Sequence, residues 1–297
     1  KEFNPALVLM SSGLEVFRVI CRIRQSHQEM FKLALEINEY NDIGDMHLTN
    51  YFQKAQKRSY NHYLKEKIFP RLDLCLVMTD ALLKHYSRFP GLKPGVSFLK
   101  VPMTVDLERF SEITSDHPYK EPYIGYCGTS SFSKDGVDIL IKSFTAISRE
   151  YPEMRLYMAA FWHKDGPEML KMIHSTGLEE RIVFLGTLER DEIPSFLKHA
   201  SVLALPRPES RQAQGGFPTK LGEYLATGIP VCVTRIGEIP LYLEDKESAF
   251  FAEPGDVDSF TEALHCALAD LTRAKRVGQN GKRVAQEHFN MDVQAGR

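Results

Sequence analysis

From residue 120 onward the chain alternates short apolar runs with amphipathic stretches, and this rhythm constrains the fold more than any other feature. "YIGY" (123–126), "RLYMAA" (155–160), "RIVFLG" (181–186), "SVLALP" (201–206) and "PVCVT" (230–234) read as buried strands. Between the first two, "VDILIKSFTAI" (137–147) sets Val137, Leu140, Ile141, Phe144 and Ile147 on one helical stripe. Further helices are expected at 167–177, ended by Gly177, at 190–200, at 219–228, ended by Gly228, and at 255–270. Strands separated by helices specify an α/β domain with a parallel sheet covered on both faces. Such sheets bind ligands outside the carboxyl ends of their strands. Chemistry is therefore sought in the loops after 126, 160, 186, 206 and 234.

The front of the chain is less regular. "ALVLMSS" (6–12) and "LCLVMT" (74–79) read as strands, 14–24, 50–68 and 80–88 as helices, and 91–106 as a turn, a strand and a loop. Two or three strands are too few for a complete doubly wound domain. A domain boundary is expected within 103–122, a polar stretch that holds Pro118 and Pro122. Two domains also suit a length of 297 residues.

Charge and cysteine usage exclude several classes. The chain has 37 Lys+Arg against 39 Asp+Glu, which argues against a dedicated nucleic-acid binder. The balance is uneven: residues 1–100 are net +5 and the remainder net −7. Five cysteines, Cys21, Cys75, Cys127, Cys232 and Cys266, form no C-x-x-C pair. Neither a disulfide framework nor a zinc ribbon fits, so a reducing compartment is expected. No apolar run reaches about 18 residues and no signal peptide is visible, so the expected location is cytoplasmic. The chain opens on Lys1, and an N-terminally incomplete sequence is expected.

Two loops carry candidate chemistry. "GYCGTSSFSKDG" (125–136) follows a strand and opens a helix. Gly128 permits close backbone approach, Thr129 and the serines offer hydroxyls, Lys134 offers a cation, and amides at a helix start favour an anion. A phosphate or diphosphate fits, although the pattern is neither G-x-G-x-x-G nor a P-loop. A plain strand-to-helix turn with a solvated lysine is the alternative. The second loop, "PRPESRQAQGGFPTKLGEYLATG" (206–228), is long, polar and glycine-rich. Thr219 is expected to cap the helix that follows, leaving the amides of 219–221 for a second anion contact. Glu223, one turn inside, can accept two hydrogen bonds from a ribose diol, and otherwise would be a solvent-facing helix residue. "GDVD" (255–258) reads as an ordinary N-cap at Asp256 rather than a metal site. No H-x-x-x-H or G-x-S-x-G pattern occurs, which argues against zinc and serine hydrolases. The segment 51–71 carries six Lys/Arg against one Glu with interleaved aromatics. It reads as a membrane-surface or acceptor-facing helix, as a nucleic-acid contact, or as a solvated face.

At "GFPTKLGEYLATG", together with "YCGTSSFSKDGVDILIKSF" and "VFLGTLERDEIPSFLKHASVLALP", the sequence resembles family 4 retaining glycosyltransferases, which have the GT-B fold. "VPMTVDLERF" (101–110) is similar to that family's interdomain segment, and "LALEINEYND" (33–42) to a strand and turn midway through its N-terminal domain. The resemblance implies two Rossmann-like domains, the N-terminal one truncated. The expected division is a partial acceptor-side domain at 1–110, a nucleotide-sugar domain at 111–278, and a tail helix at 279–297 packing back toward the first domain. Lys134 and Glu223 are implied as the residues that carry catalysis, on the donor diphosphate and the ribose respectively. Amides near Gly128 and Thr129, with Arg207, would add to the diphosphate site. The backbone of Gly216, Phe217, Pro218 and Thr219 would face the donor sugar, the Lys220 and Leu221 amides the phosphates, and Thr187 and Leu188 the base.

Three departures from the family pattern stand out. Gly215 occupies the place of a first glutamate, with Glu209, Ser210 or Gln212 available to compensate. Thr129 stands where many members have arginine. Asn38 and Glu39 stand where many have His and Asp. The implied activity is retaining transfer of a sugar from a UDP-, GDP- or ADP-sugar to a glycan or lipid-linked acceptor, without metal or other cofactor. It would serve polysaccharide biosynthesis, with peripheral membrane contact through 51–71. The rival readings are a non-catalytic nucleotide-sugar-binding subunit and a nucleotide-sugar epimerase or hydrolase on the same fold.

Overall fold

A computed structural model describes residues 6–11, 18–20, 22–23, 31–40, 51–111 and 119–296. The helix expected at 14–24 falls largely outside these residues, as does the stretch 112–118 of the expected boundary, which holds Pro118. The chain divides into two compact units, Lys1–Pro102 with Gln214–Phe217, and Met103–Ala213 with Pro218–Arg297.

The first unit holds four parallel strands, β1 (Leu7–Met10), β2 (Lys32–Ile37), β3 (Leu74–Val77) and β4 (Ser97–Lys100), in that spatial order. The basic segment forms a helix, Tyr51–Tyr63, extended by a π-helical turn over Leu64–Ile68. Asp73 ties this unit together: its carboxylate accepts from the Leu33 amide at 2.8 Å and pairs with Lys93. Residues 214–217 join this unit through Thr79, whose hydroxyl donates to the Gly215 carbonyl oxygen. The Tyr40 ring fills the space a side chain at 215 would need, which accounts for glycine there.

The second unit holds β5 (Tyr123–Thr129), β6 (Arg155–Phe161), β7 (Ile182–Gly186), β8 (Val202–Leu205), β9 (Val231–Thr234) and β10 (Phe250–Ala252). All pair in parallel, in the order β10-β9-β8-β5-β6-β7. This is the doubly wound order, which reverses direction between β5 and β8. Side chains alternate across the sheet as the pleat requires. Ile124, Tyr126, Leu156 and Met158 pack with Leu140 and Phe144 of the helix Val137–Ile147 and with Phe260 and Leu264 of the helix Val257–Ala269. On the other face Tyr123 stacks on Phe196 at 5.6 Å, and its hydroxyl donates to the Phe196 carbonyl. Gly177 and Gly228 end their helices in the left-handed region, and Asp256 caps the helix 257–269 through the Ser259 amide, all as the sequence implies.

The break falls at Pro102/Met103 rather than at 110/111. Residues 103–110 belong to the second unit because Val105 donates to the Phe289 carbonyl at 2.7 Å and accepts from Met291 at 3.2 Å. Those bonds also fix the chain's end: residues 279–296 group with the second unit, and a single helix, Leu271–Val284, crosses the expected limit at 278/279.

Candidate functional site

The sheet reversal places the carboxyl ends of β5 and β8 side by side, and a crevice there is the default ligand position in such sheets. Three charged side chains from separate loops meet at this point. Asp135, 2% exposed, closes the short helix Phe132–Asp135 after β5. Arg207, 6% exposed, follows β8, and its carbonyl accepts from the Thr234 hydroxyl at 2.8 Å. Lys220 opens the helix Thr219–Thr227, and its Nζ lies 2.8 Å from Asp135 Oδ1 and over the Tyr126 ring. Thr129 donates its hydroxyl to the other Asp135 oxygen.

Gly128 has no room for a Cβ, because Lys220 Nζ and the Tyr126 hydroxyl occupy that space. The glycine expected to let a ligand approach the backbone thus first admits a lysine. Burial pulls the Lys220 ammonium below the ordinary lysine value, and Asp135 only partly offsets this. Burial pushes the Asp135 carboxyl up, but Lys220, Thr129 and Arg207 outweigh it and hold the group below its ordinary value. Two cations, Arg207 and Lys220, thus lie close to the Asp135 carboxylate in a poorly solvated place, where charge interacts more strongly than in water.

Glu223, one turn on, is partly exposed and pairs with Arg109 Nη1 at 3.1 Å. Cys127 lies close to Glu223 and Lys220; burial first, then Glu223, pushes its thiol up to about 11, so it is protonated at neutral pH. The Tyr224 hydroxyl accepts from the Cys127 amide at 2.7 Å and donates to its carbonyl at 3.0 Å, clamping the helix to β5.

The structure gathers some of the expected residues and separates others. Gly128, Thr129, Arg207 and Lys220 converge, and Glu223 stands beside them. Lys134 does not join: its side chain is exposed on the outer side of its turn, one residue from the buried Asp135. The helix-start amides expected to await a phosphate there are already engaged. Phe132 donates to Asp165 Oδ2 at 2.9 Å, and Lys134 to the Ser131 hydroxyl at 3.2 Å. At the second loop the N-cap is Pro218 rather than Thr219, which makes no capping bond, and Leu221 is buried with its amide on the Pro218 carbonyl at 3.0 Å. Thr187 and Leu188 follow β7, exposed and half-buried respectively. Gly216 and Phe217 group with the first unit. Sequence reasoning passed over Asp135 and Arg109. The signal for Asp135 was its place beside the glycine that ends the turn; Arg109 carried none beyond the "VDLERF" string. Among the described residues no group of three His, Cys, Asp or Glu is placed to hold a metal ion.

Residues 121–270, just over half of the chain, match the family described as "Glycosyl transferases group 1". Among curated proteins, the chain is 26% identical over 227 residues to the GDP-mannose-dependent alpha-(1-6)-phosphatidylinositol monomannoside mannosyltransferase of Mycolicibacterium smegmatis, covering 71% of this chain and 58% of that protein. It is 24% identical to the D-inositol 3-phosphate glycosyltransferase of Corynebacterium urealyticum, covering 80% of this chain and 60% of that protein. The chain thus spans about six tenths of the length of these relatives. Among solved structures, HepE of Anabaena in complex with UDP and glucose superposes with a TM-score of 0.77 at 16% identity, over 98% of this chain and 76% of that one. Sucrose-phosphate synthase of Thermosynechococcus elongatus gives 0.74 at 19% identity, over 98% and 71%. The fold is therefore that of GT-B glycosyltransferases, and with over half its length matched, the chain belongs to the glycosyl transferases group 1 family.

Proposed function

We propose that this chain binds a nucleoside diphosphate sugar at the β5/β8 crevice and transfers the sugar, with retention and without a metal, to an acceptor hydroxyl. The observation that carries this reading is the convergence of Lys220 and Arg207 on Asp135 beside Gly128, with Asp135 and Arg207 buried and Lys220 turned inward. In the transfer, the bond from the anomeric carbon to the diphosphate oxygen breaks and a bond to the acceptor oxygen forms. The acceptor proton leaves toward the departing phosphate. Negative charge grows on the diphosphate, and prearranged cations with little solvent around them stabilise such charge more effectively than water does. Lys220 and Arg207 take the role first expected of Lys134. The uncapped amides at Thr219 and Lys220 support the same site. Glu223 receives the ribose hydroxyls, and the segment at Thr187–Leu188 the base.

The named relatives act on phosphatidylinositol mannoside and inositol phosphate, and the HepE structure holds UDP and glucose. We extend the proposal to a hexose donated from GDP or UDP and to a lipid-linked or polyol acceptor. Exposed Tyr51 and Phe52 beside Lys54, Lys57 and Arg58 support contact of the helix 51–63 with an anionic membrane surface. Calorimetric titration with UDP, GDP and ADP tests the donor site. One nucleotide is expected to bind, with affinity lost in Lys220→Met while the matching nucleoside is little affected. Equal losses for nucleotide and nucleoside would refute the phosphate role.

A further inference from the structure

The segment Met103–Phe110 offers one group that the donor site described above does not use. Its backbone is fixed from both ends. Val105 bonds to Phe289 and Met291, and Met103 and Val105 lie against Gly222, where a side chain would collide with Met103 and crowd Val105. At the other end Phe110 is 1% exposed and its carbonyl accepts from Lys198 Nζ at 3.4 Å. Arg109 is held between these anchors, and its guanidinium spans two parts of the second unit. Nη1 lies 3.1 Å from Glu223 Oε1, and Nη2 donates to the Arg190 carbonyl at 3.0 Å. Arg190 lies two residues beyond Leu188.

Resting on the proposed donor site, we infer that Arg109 is a positioning residue that presents Glu223 to the ribose of the nucleotide and locks that carboxylate to the segment lining the base. The planar guanidinium suits this task because its donors diverge at fixed angles, so both partners are oriented together. A carboxylate has about four acceptor positions. One bond to Arg109 through Oε1 leaves capacity for two ribose hydroxyls. Side chains of the pair are 22% and 29% exposed, open enough to meet a ligand. Holding Glu223 beforehand removes rotamer freedom that would otherwise be lost on binding. The segment joining the two units along the chain thereby becomes a wall of the nucleoside subsite.

The test is a double-mutant cycle by calorimetry, with the tightest of UDP, GDP and ADP as one probe and inorganic diphosphate as the other. Arg109→Ala should weaken the nucleotide about tenfold, as for a lost charge-assisted bond, and move inorganic diphosphate by about twofold or less. Arg109→Ala with Glu223→Ala should bind no more weakly than Glu223→Ala alone, because the two act as a unit. Arg109→Lys should keep part of the affinity, and it also stands in should Arg109→Ala fold poorly. Unchanged nucleotide affinity in both Arg109 variants, with loss in Glu223→Ala, would overturn the role of Arg109 and leave the donor site standing. So would additive losses, or an equal loss for inorganic diphosphate. A wild-type chain that binds none of the nucleotides would overturn the donor site and this inference with it.

Discussion

Two strand-to-helix turns of the second unit invite an anion, and they differ in what already fills them. After β5, the helix-start amides are spent on Asp165 and the Ser131 hydroxyl, and the lysine of that turn faces solvent. At the start of the helix 219–227 no side chain caps the amides, and the lysine is drawn inward onto Asp135. Both turns carry glycine, lysine and hydroxyls, so composition does not separate them. Satisfaction does: helix-start amides already bonded to Asp165 and Ser131 do not await a ligand, whereas uncapped amides beside an inward-turned lysine can receive one. This contrast is why we propose the cationic role for the helix after β8 rather than for the turn after β5.

Four further measurements can break or sharpen this contrast. The largest effect is expected for Lys220→Met, which strands the Asp135 carboxylate; breaking a buried pair this way costs about 3–5 kcal/mol. Thermal unfolding should show that loss, and Lys220→Met with Asp135→Asn should recover most of the stability without restoring nucleotide binding. If the double variant binds nucleotide, the cationic role of Lys220 is wrong. Next comes acid. Because the folded-state pKa of Asp135 is lowered, the group adds stability above its unfolded value, roughly pH 4, which is lost as pH falls through the folded value. Denaturant titrations from pH 6 downward should show wild type and Asp135→Asn converging, and parallel curves would contradict the pairing.

Gly128→Ala is expected to cost about 1–2 kcal/mol, because Lys220 Nζ and the Tyr126 hydroxyl must move from the added methyl. It should weaken nucleotide binding along with stability, and a silent substitution would mean that the lysine sits elsewhere in solution. The smallest effect is expected for Lys134→Ala. Nucleotide affinity should stay within about twofold, the scale of an exposed surface charge. A loss comparable to that of Lys220→Met would return the diphosphate to the turn after β5.

Much of the second unit was legible in the residues. The strands 123–129, 155–161 and 202–205, the helix 137–147, and the glycine stops at 177 and 228 follow from apolar periodicity and backbone conformation, which are local properties. The short edge strand β10 escaped notice, and the helix 271–284 was expected only from 279 onward, as part of the tail. The strand has three residues, and the helix carries "RAKRVGQNGKR", where two glycines obscure the period.

The sequence by itself determined the α/β class and the alternation of strand and helix that makes the sheet parallel. Only the tertiary structure decided which lysine turns inward, that Asp135 is its partner, and that Arg109 spans Glu223 and the Arg190 carbonyl. The reason is physical. Whether a side chain at a turn points inward depends on what the neighbouring strands bring against it. Asp165 meets Phe132 from 33 residues away, and Arg109 meets Glu223 from 114. No local periodicity encodes contacts of that span. They follow from the order in which the sheet places its strands.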